Sequence, residues 1–181
     1  MVKPVIFQVV GYQNSGKTTL TSRLIEGLKI NGLKTATIKH HGHGGKPAYL
    51  SGKDSAKHHA SGALASMVEG EGRLILQANL NELDLEDYVE LLNFFHPDVI
   101  LIEGYKFRNY PKLLLLRDQE DLHLIEKVNN LRAAVYWKEE IKESILKANS
   151  NLHCYHISDQ TVISSTIKWI QQRVHEKDEK N

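Results

Sequence analysis

The chain has 181 residues, of which 41% are hydrophobic, and its 23 Lys+Arg nearly balance 22 Asp+Glu. This length suits a single domain, expected over residues 1–181, with a sizeable core. The balanced charge excludes a protein whose main task is gripping nucleic-acid phosphates, because that task needs a basic excess. The one cysteine, Cys154, excludes an internal disulfide framework and a thiolate zinc site. No apolar run is long enough to cross a bilayer, and Met1–Pro4 shows no signal-peptide pattern. We therefore expect a cytoplasmic protein without membrane or nucleic-acid partners.

The first third of the chain predicts a strand, a helix and a second strand. Val5–Val10 is a short, largely β-branched run, and Thr18–Ile30 carries leucines at helical spacing before an Asn-Gly cap. Lys34–Lys39 alternates in the manner of a strand. A loop rich in Gly and His is expected over Gly42–Gly52, followed by a short helix over Asp54–Ser61.

The middle of the chain departs from this strand–helix rhythm. Ala63–Val68 and Arg73–Ala78 flank the sequence Glu-Gly-Glu-Gly, which predicts a β-hairpin. Leu85–Phe95 then has its apolar residues on one side of a helix. Because the hairpin interrupts the alternation, it is expected to extend from the main body.

The second half of the chain predicts alternating strands and helices. The expected strands are Val99–Glu103, Lys112–Arg117, Arg132–Trp137 and His153–Ile157. The expected helices are Lys138–Ala148 and Thr161–Val174, followed by a charged tail, residues 175–181, that is expected to fray. Such alternation favours a mostly parallel sheet covered by helices on both faces, which is a three-layer α/β fold.

The strongest motif lies between the first strand and the first helix. Gly11–Thr18 matches G-x-x-x-x-G-K-[ST], the phosphate-binding loop or P-loop. Its glycines let successive backbone N–H groups point at phosphate oxygens, and the helix N-terminus adds partial positive charge. Lys17 is expected to reach the β- and γ-phosphates and Thr18 to offer its hydroxyl to Mg²⁺. We therefore predict a P-loop NTPase fold with a β-hairpin extension.

An acidic partner for the metal follows the most apolar strand. Glu103 stands at the C-terminal end of this strand, where ligands of parallel sheets bind. It resembles a Walker B carboxylate with Glu in place of Asp, so Thr18 and Glu103 are the predicted metal ligands. Asp98 precedes the strand and is expected at the opposite end of the sheet.

Three readings stay open for the histidine-rich segment. Five of the ten histidines fall within residues 40–59, alongside Lys39, Lys53 and Lys57. Imidazoles clustered in a loop, as from His40 to His43, can bind Zn²⁺ or Ni²⁺, although their spacing matches no familiar zinc signature. The lysines favour phosphate or substrate contacts, and a solvated loop is the third reading. Asp54 and Ser55 are either helix caps or a switch-like element.

Two basic residues follow Glu103. Lys106 and Arg108 either contribute to a surface for an anionic ligand or form a solvated basic loop. The nearby Tyr105 either stacks on a ring or packs the loop.

Taken in order, these motifs resemble a known family. The combination looks like the molybdopterin-guanine dinucleotide biosynthesis adaptor family. The segments that carry the resemblance are Gly11–Thr19, Ile38–His41, Gly52–Ser55 with His58, and Ile102–Lys106 with Pro111-Lys112. The resemblance implies a GTP-binding adaptor that assists the guanylyltransferase converting molybdopterin cofactor to its guanine dinucleotide form. It also implies slow GTP hydrolysis at most, and a homodimer formed through an extended hairpin, for which residues 63–82 are the candidate.

The resemblance also assigns residues to the site. Nucleotide contacts fall on eight residues: Gly11, Gln13, Asn14, Ser15, Gly16, Lys17, Thr18 and Thr19. Glu103 serves the metal. The resemblance also places Lys53, Asp54 and Ser55 in the same cleft. Together with our own candidates, the predicted switch or cofactor contacts are Lys39, His40, Lys53, Asp54, Ser55 and Lys106.

The chain departs from the family pattern in two places, and two other functions stay open. Residues 47–51, just before the Gly-Lys-Asp-Ser motif, lack the aspartates usual in that family, and no N-K-x-D guanine signature occurs. Glu139 or Glu140 is the acidic candidate for contacting guanine. The alternative functions are a small-molecule P-loop kinase, against which the absence of an arginine-rich lid counts, and a metallochaperone-type GTPase using the histidines.

Overall fold

The computed structural model describes residues 3–40, 42, 57–58, 60–79 and 83–179. Its contacts divide the chain into two compact units, Met1–His40 with Val89–Asn181, and His41–Tyr88. Most of the histidine-rich segment lies outside the described residues. The predictions made for His41, His43, Lys53, Asp54, Ser55 and residues 47–51 therefore stay predictions.

Eight strands and five α-helices lie entirely within the described residues. The strands are β1 (Val5–Gly11), β2 (Thr35–Lys39), β3 (Ala65–Gly70), β4 (Arg73–Ala78), β5 (Val99–Glu103), β6 (Lys112–Leu116), β7 (Leu131–Tyr136) and β8 (His153–His156). The helices are α1 (Lys17–Ile30), α2 (Leu85–Asn93), α3 (Leu124–Lys127), α4 (Lys142–Ala148) and α5 (Thr161–Asp178). None of these helices has the length and apolar character that a membrane crossing requires.

Six parallel strands make the sheet of the first unit, in the order β2-β5-β1-β6-β7-β8. The central strands β1, β5 and β6 are almost completely buried because helices cover both faces. Leucines of α1 and apolar residues of α5 join the core on one face of the sheet. Residues of α3 and α4 join the core on the other. The predicted three-layer α/β fold is confirmed.

The second unit contains the antiparallel pair β3–β4, which confirms the predicted hairpin. Glu71 and Gly72 form the two-residue turn, both with positive φ, as tight hairpin turns require. Strand β3 begins and ends two residues later than the sequence predicted. Apolar side chains on both strands stay exposed, among them Met67 and Leu76.

Several element boundaries differ from the sequence prediction. The structure adds a 3₁₀ turn at Gln119–Asp121 and the one-turn helix α3, both too short to give a periodic signal. The helix predicted over Lys138–Ala148 begins as a 3₁₀ turn at Glu139–Ile141. Helix α5 runs to Asp178, four residues past its predicted end at Val174. The ammonium of Lys177 donates to the carbonyls of Lys3 and Pro4, which holds this last turn in place.

Candidate nucleotide-binding site

The P-loop connects β1 to α1, as the motif predicted. Gly11 ends β1 with φ 152°, and a Cβ there would lie 2.7 Å from both the Leu115 carbonyl oxygen and the Ser15 hydroxyl. Gly16 precedes α1 with φ 91°, a left-handed conformation that glycine adopts without strain. The two glycines of the motif are therefore needed for different reasons. At Gly11 neighbouring atoms leave no room for a side chain, and at Gly16 the backbone is left-handed.

Neighbouring residues fix the shape of this loop. Asn14 adopts the left-handed conformation, φ 58°, which asparagine tolerates better than most residues. The indole of Trp137 donates to the Ser15 carbonyl at 3.0 Å. The hydroxyl of Ser15 is buried and has no hydrogen-bond partner among the described residues. Such an orphaned donor inside a loop is a group that a bound anion would satisfy.

Lys17 opens α1 and turns back over the loop. Its ammonium donates to the Tyr12 carbonyl at 2.6 Å. Burial lowers the pKa of Lys17; the carboxylate of Glu103 opposes this shift, while the positive charges of Lys106 and Lys39 add to it. An anion bound beside Lys17 would stabilise its charged form.

Glu103 lies beside Thr18, at the point where the sequence placed it. The Thr18 hydroxyl lies 2.9 and 3.0 Å from the two carboxylate oxygens of Glu103. Lys39, at the end of β2, donates to the Thr18 hydroxyl at 3.1 Å and pairs with Glu103 at 3.3 Å. Parallel pairing of β2 with β5 brings Lys39 opposite Glu103, so three strand ends meet at one edge of the sheet.

The strand end at Glu103 continues into a tight loop. Gly104 has φ 100°, and a Cβ there would lie 2.9 Å from the Cβ of His40. The His40 backbone N–H donates to the Glu103 carbonyl at 2.9 Å. Its ring packs against Tyr105 with centroids 4.4 Å apart. Tyr105 therefore packs against a side chain of the chain itself, one of the two readings that the sequence left open.

Two buried polar side chains of the sheet bind the backbone of the loop that follows Glu103. Gln8 of β1 and Lys112 of β6 are register partners in the sheet and both are fully buried. The Gln8 amide donates to the carbonyls of Gly104 and Tyr105. The Lys112 ammonium donates to the carbonyls of Lys106 and Arg108. Burial lowers the pKa of Lys112 to about 8.

A further group surrounds Tyr12 on the β6 side of the P-loop. The Lys106 ammonium lies 4.0 Å from the centre of the Tyr12 ring, a cation–π contact. The Tyr12 hydroxyl lies 2.8 Å from Nε2 of His123. Arg117 follows β6 and pairs with the buried carboxylate of Asp121 at 3.4 Å.

The structure therefore groups some predicted residues and leaves others apart. Gly11, Ser15, Lys17, Thr18, Glu103 and Lys39 meet at one edge of the sheet, and Lys106 lies over the same loop. Gln13, Asn14 and Thr19 are exposed on or just after the loop. Asp98 lies at the opposite end of β5, as expected, where it accepts from the Lys34 backbone N–H at 2.7 Å. Glu139, one of the candidates for guanine, accepts instead from the Tyr136 hydroxyl at 3.1 Å.

Sequence reasoning missed the supporting residues of the site. Gln8 interrupts an otherwise apolar strand, which is a usable signal for a buried polar role. Lys112, Arg117 and Trp137 gave no such signal because they stand at predicted strand ends, where polar and aromatic residues are common.

The histidine cluster contributes one described member, His40. Among the residues that the structure describes, no group of three or more His, Cys, Asp or Glu side chains could hold a metal ion. His41 and His43 are not among those residues, so a metal site there stays a prediction.

Comparison with known proteins decides the family. The family model described as molybdopterin guanine dinucleotide synthesis protein B, MobB, matches residues 6–137. The chain belongs to the MobB family. It is 39% identical over 173 residues to the probable molybdopterin-guanine dinucleotide biosynthesis adapter protein of Bacillus subtilis (strain 168), covering 94% of this chain and 96% of that protein. The corresponding Escherichia coli (strain K12) adapter protein is 34% identical over 59% of this chain and 62% of its own length.

Solved structures agree with MobB membership. The crystal structure of Bacillus subtilis MobB superposes with a TM-score of 0.78 at 39% identity, covering 91% of this chain and 96% of that one. The MobB homologue from Bacillus stearothermophilus gives 0.69 at 28% identity, over 94% and 98% of the two chains. The hydrogenase maturation factor HypB from Archaeoglobus fulgidus, 17% identical over 96% and 91% of the two chains with a TM-score of 0.51, shares the fold alone.

Proposed function

We propose that this MobB-family chain is an adapter of molybdopterin-guanine dinucleotide biosynthesis that binds Mg-GTP and works beside the guanylyltransferase in the cytoplasm. The observation that carries the nucleotide part is the contact of the Thr18 hydroxyl with the Glu103 carboxylate at the mouth of the P-loop. The adapter part rests on family membership and on the adapter proteins that the chain resembles.

The side chains present fit a magnesium nucleotide. Thr18 and Glu103 supply hydroxyl and carboxylate oxygens, the ligands that Mg²⁺ prefers, and bound Mg²⁺ would neutralise phosphate charge. The Lys17 ammonium, which donates only to a backbone carbonyl among the described residues, would pair with the phosphates. The buried Ser15 hydroxyl would gain the partner it lacks.

We propose that turnover is slow at most. GTP hydrolysis needs a group that orients the attacking water. Glu103 is the carboxylate beside Thr18, and it is already engaged by Thr18 and by Lys39. This arrangement suits a protein that holds nucleotide for a partner better than it suits a rapid hydrolase, and family membership favours the adapter over the kinase and metallochaperone alternatives.

We further propose that the chain acts as a homodimer joined through the hairpin of residues 63–82. A two-stranded hairpin is marginally stable by itself. Met67, Val68 and Leu76 are nevertheless 62%, 46% and 44% exposed on this one. A second copy of the chain would cover these side chains.

A reconstituted guanylyltransferase reaction tests the adapter proposal. The measurement is the guanine dinucleotide formed from molybdopterin cofactor at limiting GTP, with and without this chain. We expect the wild type to raise the yield and Lys17→Ala to remove that gain, because the phosphates lose their lysine. Lys29→Ala is the matched control, an exposed lysine about 18 Å along the same helix. Equal stimulation by Lys17→Ala and the wild type, or none by either, contradicts the proposal.

A further inference from the structure

Cations lie on both sides of the P-loop. On the β5 side, the Glu103 carboxylate is paired with Lys39 at 3.3 Å. On the β6 side, the buried carboxylate of Asp121 pairs with Arg117 at 3.4 Å, and its charge also acts on Lys106. Lys17 lies between the two sides and experiences all three of these cations. Lys106 and Arg117 therefore add positive charge near the loop beyond the lysine that a P-loop motif supplies.

Lys106 is held in position without a carboxylate partner. Its ammonium lies over the Tyr12 ring and forms no ion pair within the described ranges. Its own carbonyl accepts from the fully buried Lys112, so the backbone beneath it is anchored. Burial lowers the pKa of Lys106, and the charge of Asp121 opposes that shift. A positioned cation that protein groups leave poorly compensated is suited to an external anion.

Arg117 is also held in position by the protein, and its Nη groups are left to donate to a ligand. Its backbone N–H and its Nε both contact the same oxygen of Asp121, at 2.9 and 3.4 Å. The Asp121 side chain is 2% exposed, so it fixes the arginine from the protein side. The two Nη groups have no acceptor in the part of the chain that the structure describes. Because Gly11 pairs with Leu115, two residues before Arg117, the side chain starts beside the P-loop.

We propose that Lys106 and the Nη groups of Arg117 form a second phosphate-binding subsite on the β6 side of the P-loop. The subsite takes a phosphate dianion, which matches two cationic donors of which one is a planar fork. It rests on the proposed function, since it adjoins the loop assigned to the nucleotide. The dianion is either the terminal phosphate of the nucleotide or a phosphate monoester on a second ligand.

Calorimetric titration with inorganic phosphate tests the subsite. The full chain is first saturated with Mg-GDP in one arm and with Mg²⁺ and a non-hydrolysable GTP analogue in the other. We expect the wild type to bind phosphate with Mg-GDP present, and Lys106→Ala and Arg117→Ala each to weaken that binding at least about tenfold. Mg-GDP binding by each variant, unchanged within about twofold, reports that the chain is folded. Lys106→Ala breaks no described ion pair, so it remains informative if Arg117→Ala perturbs Asp121.

Arg108→Ala is the matched control, since it removes an exposed positive charge from the same loop as Lys106. Its phosphate affinity should equal that of the wild type. Phosphate binding in both arms assigns the subsite to a second ligand, and binding only beside Mg-GDP assigns it to the terminal phosphate of the nucleotide. The proposal is overturned if phosphate binds in neither arm. It is also overturned if phosphate binding is unaffected by both Lys106→Ala and Arg117→Ala, which would mean an adventitious ion only, or if Arg108→Ala weakens phosphate binding as much as they do.

Failure of the proposed function would look different. If the chain binds no nucleotide, the same phosphate titration is made on Lys17→Ala, in which the P-loop lysine is gone. A weakening caused by adding Lys106→Ala or Arg117→Ala then still supports the subsite, and unchanged binding overturns it.

Discussion

Thr18 and Glu103 are 85 positions apart in the chain, yet their oxygens lie 2.9 Å from each other. The motif supplies Thr18, and the end of an apolar strand supplies Glu103, so both residues could be predicted from sequence. Their contact follows from the pairing of β1 with β5, which aligns Val9 with Glu103. The sequence therefore predicts where each residue lies in its own element, and the parallel sheet brings the two residues together.

Glu103→Gln tests the role of this pair in metal binding. We expect the affinity for Mg-GTP to fall about tenfold, a difference of about 1.4 kcal/mol, because an amide is a weaker Mg²⁺ ligand than a carboxylate. Affinity for GTP in excess EDTA should stay unchanged. Titration calorimetry under both conditions makes the measurement, with the exposed Glu126→Gln as control. An equal loss with and without Mg²⁺ would show that Glu103 shapes the loop and does not serve the metal.

Gly11→Ala tests the close approach inside the P-loop. The new Cβ would meet the Leu115 carbonyl oxygen and the Ser15 hydroxyl at 2.7 Å. We expect the free energy of unfolding to fall by about 1–3 kcal/mol, as overpacking does. Gly32→Ala is the control, since that glycine also has a positive φ but nothing within 4 Å of its Cβ position. Urea denaturation that shows equal losses in both variants would assign the effect to backbone conformation alone.

Lys112 links stability to pH. Its pKa is lowered by burial from 10.5 to about 8, so between these values the unfolded chain binds more protons than the folded one. The free energy of unfolding should therefore rise with pH across this window, by an amount on the order of 3 kcal/mol at about 1.4 kcal/mol per pKa unit.

The comparison of wild type with Lys112→Met isolates this effect. Urea denaturation at about pH 7.5 and pH 10 should show the wild type gaining stability relative to the variant at the higher pH. The exposed Lys29→Met is the control and should follow the wild type. A wild-type curve parallel to that of Lys112→Met would mean that Lys112 titrates normally.

At the scale of elements, long periodic segments were predictable and short or irregular ones were not. Helix α1 and strands β1 and β5 carry their own patterns, so their positions followed from sequence. Helix α3 spans four residues, Leu124–Lys127, and is held by packing of Leu124 and Ile125 into the core, which no local pattern reveals. Helix α2 ends at Asn93, two residues early, because His96 turns left-handed just beyond it.

The hairpin β3–β4 carries a prediction about assembly. Met67 and Leu76 are register partners and both are exposed, so Met67→Lys with Leu76→Lys places two like charges on one face of the hairpin. If a second copy covers this face, the double variant should sediment as a monomer at concentrations where the wild type is dimeric. Leu146→Lys, an exposed leucine of α4, is the control and should leave the dimer intact. A monomeric wild type, or a dimeric double variant, contradicts assembly through this face.

At the scale of the whole molecule, the sheet order determines which residues can cooperate. β1 lies between β5 and β6, so the P-loop has Glu103 on one side and Arg117 on the other. The sequence predicted the layers and the loop but not this order, which depends on long-range pairing. For the same reason it could not reveal that Gln8 and Lys112 are neighbours supporting one loop, since their register is set only in the assembled sheet.

Nucleotide binding and its base specificity are tested by a calorimetric titration of the chain with Mg-GTP and, separately, with Mg-ATP. We predict that Mg-GTP binds more tightly than Mg-ATP and that Lys17→Ala weakens Mg-GTP binding at least about tenfold, since a hydrogen bond to a charged group contributes about 1.5–3 kcal/mol. Lys29→Ala should bind as the wild type does. Equal or tighter binding of Mg-ATP, or Mg-GTP binding that does not depend on Lys17, would contradict the proposal that the P-loop of this chain binds GTP.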